Sequence, residues 1–130
     1  MKKISIMIAL IFILTTSACT KKPETYAELE SLHLEGWYDV DTVITDGLFL
    51  VFYYSPRCPD CKSIETEFVE IINRRGNRYE VYLMISMDVE RQGTPPVTLR
   101  GVPALFVYQD KVFIEMILGT VHVIDYLESL

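Results

Sequence analysis

One junction limits what this 130-residue chain can fold into. Leu48 to Tyr54 is an unbroken apolar and aromatic run of seven residues, and Cys58-Pro59-Asp60-Cys61 follows four positions later. A short apolar run without alternation reads as a strand buried on both faces. From Pro59 to Arg75 the pattern changes to helical. Cys61, Ile64, Phe68, Ile71 and Ile72 share one face, and Lys62, Glu65, Glu67 and Glu70 lie mostly away from it. The two cysteines therefore stand where a buried strand hands over to an amphipathic helix. Half the residues are hydrophobic and 23% are charged, which suits one globular domain rather than a disordered chain.

The remaining pattern supplies the other elements. Thr25 and Glu28 have capping-box spacing, which starts a short helix, whereas alternation at Leu32 and Leu34 suits a short strand; the two readings compete. Asp39 to Thr45 is predicted helical, and Asp46-Gly47 is a turn signal. Gly76-Asn77 ends the helix that the cysteines open. Tyr79 to Met87 is a second strand, and Glu90 to Arg100, with Gly93, Pro95 and Pro96, is loop with at most a short helix. Ala104 to Tyr108 and Val112 to Leu118 are strands joined so closely, through Gln109-Asp110-Lys111, that they form an antiparallel hairpin. Val121 to Leu130 is a final amphipathic helix.

The N-terminus has a different character. Lys2 and Lys3 precede the apolar stretch Ile4 to Leu14, which is too short to span a bilayer and is followed by Thr15, Thr16, Ser17 and Ala18. Residues 1–18 read as an export signal peptide, and Cys19 comes next. A signal ending in small residues before a cysteine resembles the lipobox of bacterial lipoproteins, with Thr16 standing where that family usually has Leu. The resemblance implies that Cys19 is the lipid-attachment point and that multiple acyl chains hold the protein on a membrane. Residues 19–30 are then the lipid-attachment cysteine and a tether, and 31–130 the folded domain. The expected location is extracytoplasmic and anchored to the cell membrane, or secreted or periplasmic without lipid. Residues 1–18 contain two lysines and no acid, so the rest of the chain has a formal net charge of -8, against -6 overall. This acidity argues against nucleic-acid partners.

The chemistry sits at Cys58 and Cys61. A helix N-terminus presents unpaired N–H groups and partial positive charge, which favour a thiolate at Cys58, and thiolate is the nucleophile of disulfide exchange. Pro59 suits the first helical turn, where its missing N–H is no loss. The i, i+3 spacing brings Cys61 close enough to close a disulfide and act as the resolving thiol. Two other readings stand beside this one. CxxC is also half a zinc site, but two more ligands are needed, and only Cys19, His33 and His122 remain as cysteine or histidine. It can equally be a structural disulfide, which exported proteins retain.

With these motifs in place, the chain from about Ser31 to Leu130 resembles the thioredoxin-like oxidoreductases. Phe52 to Lys62 resembles that family's strand, active-site loop and helix start. Arg100-Gly101-Val102-Pro103-Ala104 resembles its cis-proline loop, with Pro103 lying 42 residues past Cys61. Leu105 to Gly119 resembles the closing hairpin. The resemblance implies an α/β thioredoxin-like fold: a central mixed β-sheet flanked by helices, with a C-terminal antiparallel hairpin and helix. It implies a cis Val102–Pro103 bond packed against the Cys58–Cys61 pair, with the Val102 backbone offered to an extended substrate. Tyr54 is a candidate for the apolar substrate surface or for the core. Arg57, Pro59 and Asp60 complete the active-site loop.

The departures from the family pattern bear on mechanism. The family's buried aspartate before the motif is Phe52 here, its partner lysine is Met84, and the tryptophan before the first cysteine is Arg57. An exposed Asp or Glu, or water, is expected to take over proton transfer. Asp60 disfavours negative charge on Cys58, while Arg57 and the helix terminus favour it. The expected activity is thiol–disulfide exchange on exported proteins or peptides, in the reducing or isomerising direction, with a membrane electron donor or acceptor. A monomer is expected, with no cofactor beyond the redox-active disulfide and no metal. The alternatives are a disulfide-forming oxidase and a non-catalytic metal-delivery or assembly lipoprotein. For the last, Met84, Met87 and Met116 are candidate copper ligands, although their strand-like spacing suits core packing.

Overall fold

The computed structural model describes residues 20–87 and 89–130. The expected signal segment, Cys19 and Asp88 lie outside them. The chain begins with a 3-10 turn (Ala27–Leu32), β1 (His33–Leu34) and α1 (Trp37–Val43). Then come β2 (Leu48–Tyr54), α2 (Pro59–Ser63), α3 (Glu65–Arg74), β3 (Glu80–Ile85) and α4 (Val89–Gln92). β4 (Ala104–Gln109), β5 (Val112–Leu118) and α5 (Thr120–Glu128) complete it.

The five strands form one mixed sheet in the order β1-β3-β2-β4-β5. β2 runs parallel to β3 and antiparallel to β4, so the apolar run sits at the centre with a hydrogen-bonded neighbour on each side. Alternation along β2 divides two cores. Leu50, Phe52 and Tyr54 face one core with α3 and α5 residues, including Phe68, Ile72, Val123 and Leu127. Phe49, Val51 and Tyr53 face the other with Trp37, Val40 and Phe106. Six of the seven β2 side chains are buried, which is why its sequence shows no polar face.

Several expectations are refined. The helix read as continuous from Pro59 breaks at Ile64 (φ -104°, ψ 2°). Just before the break the Ser63 hydroxyl donates to the Asp60 carbonyl at 2.7 Å, back-bonding of the kind that bends helices. The hairpin turn is two residues, Asp110 and Lys111, both at positive φ as a type I′ turn requires. Asp110 also accepts from the Gly47 amide at 2.9 Å, which locks the Asp46-Gly47 turn against the hairpin tip.

Both competing readings near residue 30 hold, in sequence. Thr25 Oγ1 accepts from the Glu28 amide at 3.4 Å, the turn follows, and His33 and Leu34 then pair with Leu83 and Met84. This corrects the boundary drawn at residue 31. Tyr26 and Leu29 are 4% and 5% exposed within the core beneath α3, so the folded unit includes them and the tether ends before them. Aromatic contacts at Tyr26 and burial at Leu29 tie this segment down; neither is visible in local pattern.

The Glu90–Arg100 stretch contributes one helical turn and a clamp. Gln92 is 2% exposed. It donates to the carbonyls of Ile85 (2.6 Å) and Glu35 (3.3 Å) and accepts from the Tyr53 hydroxyl and the Met87 amide. All four of its hydrogen-bonding demands are thereby met by β2, β3 and the residues just after β1 and β3. Gly36 permits this approach: a Cβ there would stand 2.6 Å from the Gln92 carbonyl oxygen.

Candidate active site

Cys58 caps the N-terminus of α2, with extended backbone and Pro59 in the first helical turn. Its sulfur accepts from the Cys61 amide at 3.2 Å and its thiol donates to the Val102 carbonyl at 3.7 Å. Cys58 is half-buried, Cys61 is wholly buried, and both are free thiols. The two cysteines thus form an accessible sulfur with a second thiol directly behind it.

Val102–Pro103 is cis. Pro103 is buried and its carbonyl accepts from the Gly119 amide at 3.0 Å, which fastens this loop to the end of β5. The structure therefore brings Cys58, Cys61, Val102 and Pro103 together. Arg57, Pro59 and Asp60 surround Cys58 as exposed loop and helix-start residues. Tyr54 does not join them as a surface residue. It is 3% exposed, stacks on Phe52 and Tyr26, and bonds through its hydroxyl to His33 Nε2 at 2.7 Å. Its place in β2 points it into the core that holds Cys61, which favours the core over the substrate surface among its two readings.

The electrostatics separate the two sulfurs. Burial, reinforced by the hydrogen bond to Cys58, pushes the Cys61 thiol up to about 12, so Cys61 is held protonated at neutral pH. Phe52, at the position of the family's buried carboxylate, stacks on Phe68 at 4.0 Å between ring centroids. Met84 packs in the opposite core, so the two substituted positions do not face one another.

Sequence reasoning missed the group behind Cys61. The Tyr26 hydroxyl donates to the Cys61 carbonyl at 2.7 Å, and the Tyr26 amide donates to Glu65 Oε2 at 3.0 Å. Lys62 pairs with the other Glu65 oxygen. Burial works to raise the Glu65 pKa, but the Lys62 ammonium and the Tyr26 amide outweigh it and hold the carboxyl below its ordinary value. Burial, and after it the charge of Cys61, raises the Tyr26 hydroxyl. His33 Nδ1 lies 3.1 Å from the Leu29 carbonyl, which makes it the donor and leaves Nε2 to accept from Tyr54. These side chains line an open hollow of about 560 Å³. The only local signal was the Thr25–Glu28 capping spacing.

The family model named Thioredoxin matches residues 35–128. The chain belongs to the thioredoxin family. Solved structures of thioredoxins share its fold. Mitochondrial thioredoxin 3 of Saccharomyces cerevisiae is 16% identical with a TM-score of 0.56, over 75% of this chain and 93% of that one. Plasmodium falciparum thioredoxin is 17% identical with a TM-score of 0.56, over 75% and 96%. A mutant thioredoxin of Halobacterium salinarum is 23% identical with a TM-score of 0.53, over 75% and 88%. A comparison with curated proteins returns no match. The thioredoxin fold and family membership make this chain a thiol–disulfide oxidoreductase.

Proposed function

We propose that the protein works outside the cytoplasm, held to the membrane through Cys19, and reduces or isomerises disulfides of exported proteins through Cys58 and Cys61. The observation that carries the chemistry is the asymmetry of the pair. One sulfur is accessible beside the cis-proline loop, and the other is buried behind it.

In the reducing direction Cys58, as thiolate, attacks one sulfur of a substrate disulfide. A Cys58–substrate bond forms, the substrate S–S bond breaks, and the departing sulfur takes a proton. Cys61 then loses its proton and attacks the Cys58 sulfur. The second substrate thiol leaves, and Cys58 and Cys61 are joined as a disulfide. Two electrons have passed to the substrate, and a membrane donor must return them. The Cys61 amide aims at the Cys58 sulfur, where charge resides during the first step. The Val102 carbonyl and the cis-proline loop border the place where an extended substrate chain lies.

Proton removal from Cys61 is the demanding step, since burial opposes its ionisation. Glu65 is the buried carboxylate on this side, and both its oxygens are engaged by Tyr26 and Lys62. Water entering beside Cys58 is the acceptor the geometry leaves open. The export and anchoring part of the proposal rests on residues 1–19 of the sequence.

Catalysed reduction of a protein disulfide by thiol reductant tests the chemistry. Cys58→Ser abolishes turnover, whereas Cys61→Ser accumulates a mixed disulfide with substrate. Equal turnover in Cys58→Ser and the unsubstituted protein refutes the assignment. Loss of membrane attachment in Cys19→Ala tests the anchor separately.

A further inference from the structure

The end of α3 farthest from Cys58 gathers basic residues on an otherwise acidic protein. Arg74, Arg75 and Arg78 lie at the C-terminus of α3 and in the turn after it. The N-terminal segment reaches the same place, because Asn73 Nδ2 donates to the Pro23 carbonyl at 2.9 Å. Lys21 and Lys22 stand just before Pro23 and are exposed. Five of the ten basic residues outside residues 1–18 therefore meet at one pole. Glu24 and Glu128 share it, each in an ion pair, with Lys21 at 3.3 Å and with Arg74 at 3.2 Å. Glu70 lies one turn back along α3, and Glu80 opens β3. Arg78 is held by the carbonyls of Arg74 and Arg75 and by a terminal oxygen of Leu130, the last residue of the sequence, with no side-chain carboxylate partner among the described residues.

We infer that this pole is the membrane-facing surface, with the exposed Lys21, Lys22, Arg74 and Arg78 set against anionic lipid headgroups, and that Cys58 is held away from the bilayer. The inference rests on the lipid anchor proposed at Cys19. Only three residues lie between Cys19 and Pro23, so the four Cα-to-Cα steps joining them span at most about 14 Å. An anchored Cys19 thus keeps the Asn73 end of α3 close to the headgroups, within or near a screening length of about 8–10 Å for the nearest side chains. Attraction between these cations and an anionic leaflet favours contact there. The rest of the domain, acidic in net charge, is repelled by the same surface, so charge as well as tether selects this orientation.

The position of the active site follows from helix geometry. α2 and α3 run from Pro59 to Arg74 with a break at Ile64, a length of at most about 24 Å at 1.5 Å per residue. Cys58 stands at the far end. α5 runs the same way, from Gly119 beside Pro103 to Glu128 beside Arg74. Cys58 then meets aqueous partners, or the projecting domain of a membrane partner, rather than lipid-embedded groups.

The test uses the full chain, purified from membranes and returned to phosphatidylcholine vesicles containing phosphatidylglycerol and a headgroup-quencher lipid. Trp37, the sole tryptophan, is 4% exposed and supplies a constant background. Added reporters are Asn77→Trp at the basic pole and Val121→Trp at the active-site end, both at exposed positions. The Asn77→Trp fluorescence is expected to be quenched and the Val121→Trp fluorescence not. Lys22→Glu with Arg78→Glu, both at exposed positions, is expected to abolish the Asn77→Trp quenching while the protein still sediments with vesicles. Equal quenching at the two reporters, or stronger quenching at Val121→Trp, overturns the orientation with the anchor intact. Quenching that survives the double charge reversal, or is equal on pure phosphatidylcholine, overturns the electrostatic basis. A chain that never sediments with vesicles refutes the anchor and removes the inference with it.

Discussion

Replacing Tyr26 tests whether the segment before β1 is part of the fold or a tether. Its hydroxyl donates to the Cys61 carbonyl at 2.7 Å, and its ring meets Tyr54 at 4.5 Å, Phe52 at 5.4 Å and Phe68 at 5.6 Å between centroids. Tyr26→Phe keeps these ring contacts and loses one hydrogen bond, a change of about 1 kcal/mol. Tyr26→Ala also empties an aromatic site in a packed core, which costs about 3–5 kcal/mol. Against a total stability of about 5–15 kcal/mol for a domain, the second loss is large and the first modest. Urea unfolding of the reduced proteins, followed by Trp37 fluorescence, measures both. The expected result is a lowered midpoint with unchanged slope, small for Tyr26→Phe and several-fold larger for Tyr26→Ala. Exposed tether residues lie within about 0.5 kcal/mol of neutrality on substitution. A Tyr26→Ala variant within that margin of wild type refutes the docking and returns the domain boundary to Ser31.

Three further predictions concern the site and its supports. Burial raises the Cys61 thiol from 9.0 to about 12, so the unfolded chain releases this proton first as pH rises. The stability this provides is complete below about pH 9 and is lost towards pH 12, by up to about 1.4 kcal/mol per unit. Reduced wild type should therefore lose stability between about pH 9 and 10, before tyrosines in the unfolded chain ionise, and Cys61→Ser should not; parallel profiles contradict this. Gly36→Ala forces a Cβ to within 2.6 Å of the Gln92 carbonyl oxygen and 2.9 Å of its Cα, and should lower stability by more than about 1 kcal/mol in thermal unfolding. Tyr54→Phe removes the hydrogen bond to His33 and should cost about 1 kcal/mol in stability while leaving KM for a protein disulfide unchanged; a raised KM restores Tyr54 to the substrate surface.

The parts of the molecule legible in sequence are those fixed locally. β2 declares itself through seven apolar residues, the hairpin through its short connection, and the helix after Cys58 through apolar positions at helical spacing. The Gly101-Val102-Pro103 loop was legible through family resemblance rather than pattern. What stayed hidden depends on distant partners. Tyr26 is core because Cys61 and Phe52, over twenty residues away, receive it. Gln92 reads as an ordinary loop residue until β2, β3 and the residue just after β1 surround it. Tyr54 was ambiguous because an aromatic residue at the end of a buried strand can face either way, and only its pairing with Ile85 on β3 and contact with His33 fix it inward. Glu65 reads as a polar-face residue of an amphipathic helix, but the incoming Tyr26 segment covers it.

The reduction potential of the Cys58–Cys61 couple, measured on the protein equilibrated with glutathione or dithiothreitol buffers, tests the central claim most directly. A two-electron couple near the about −270 mV of reducing thioredoxins, absent in Cys58→Ser, is the predicted result. A couple near about −120 mV, the range of strong disulfide-forming oxidants, contradicts the reducing or isomerising direction, and the absence of any couple contradicts the redox assignment of the pair itself.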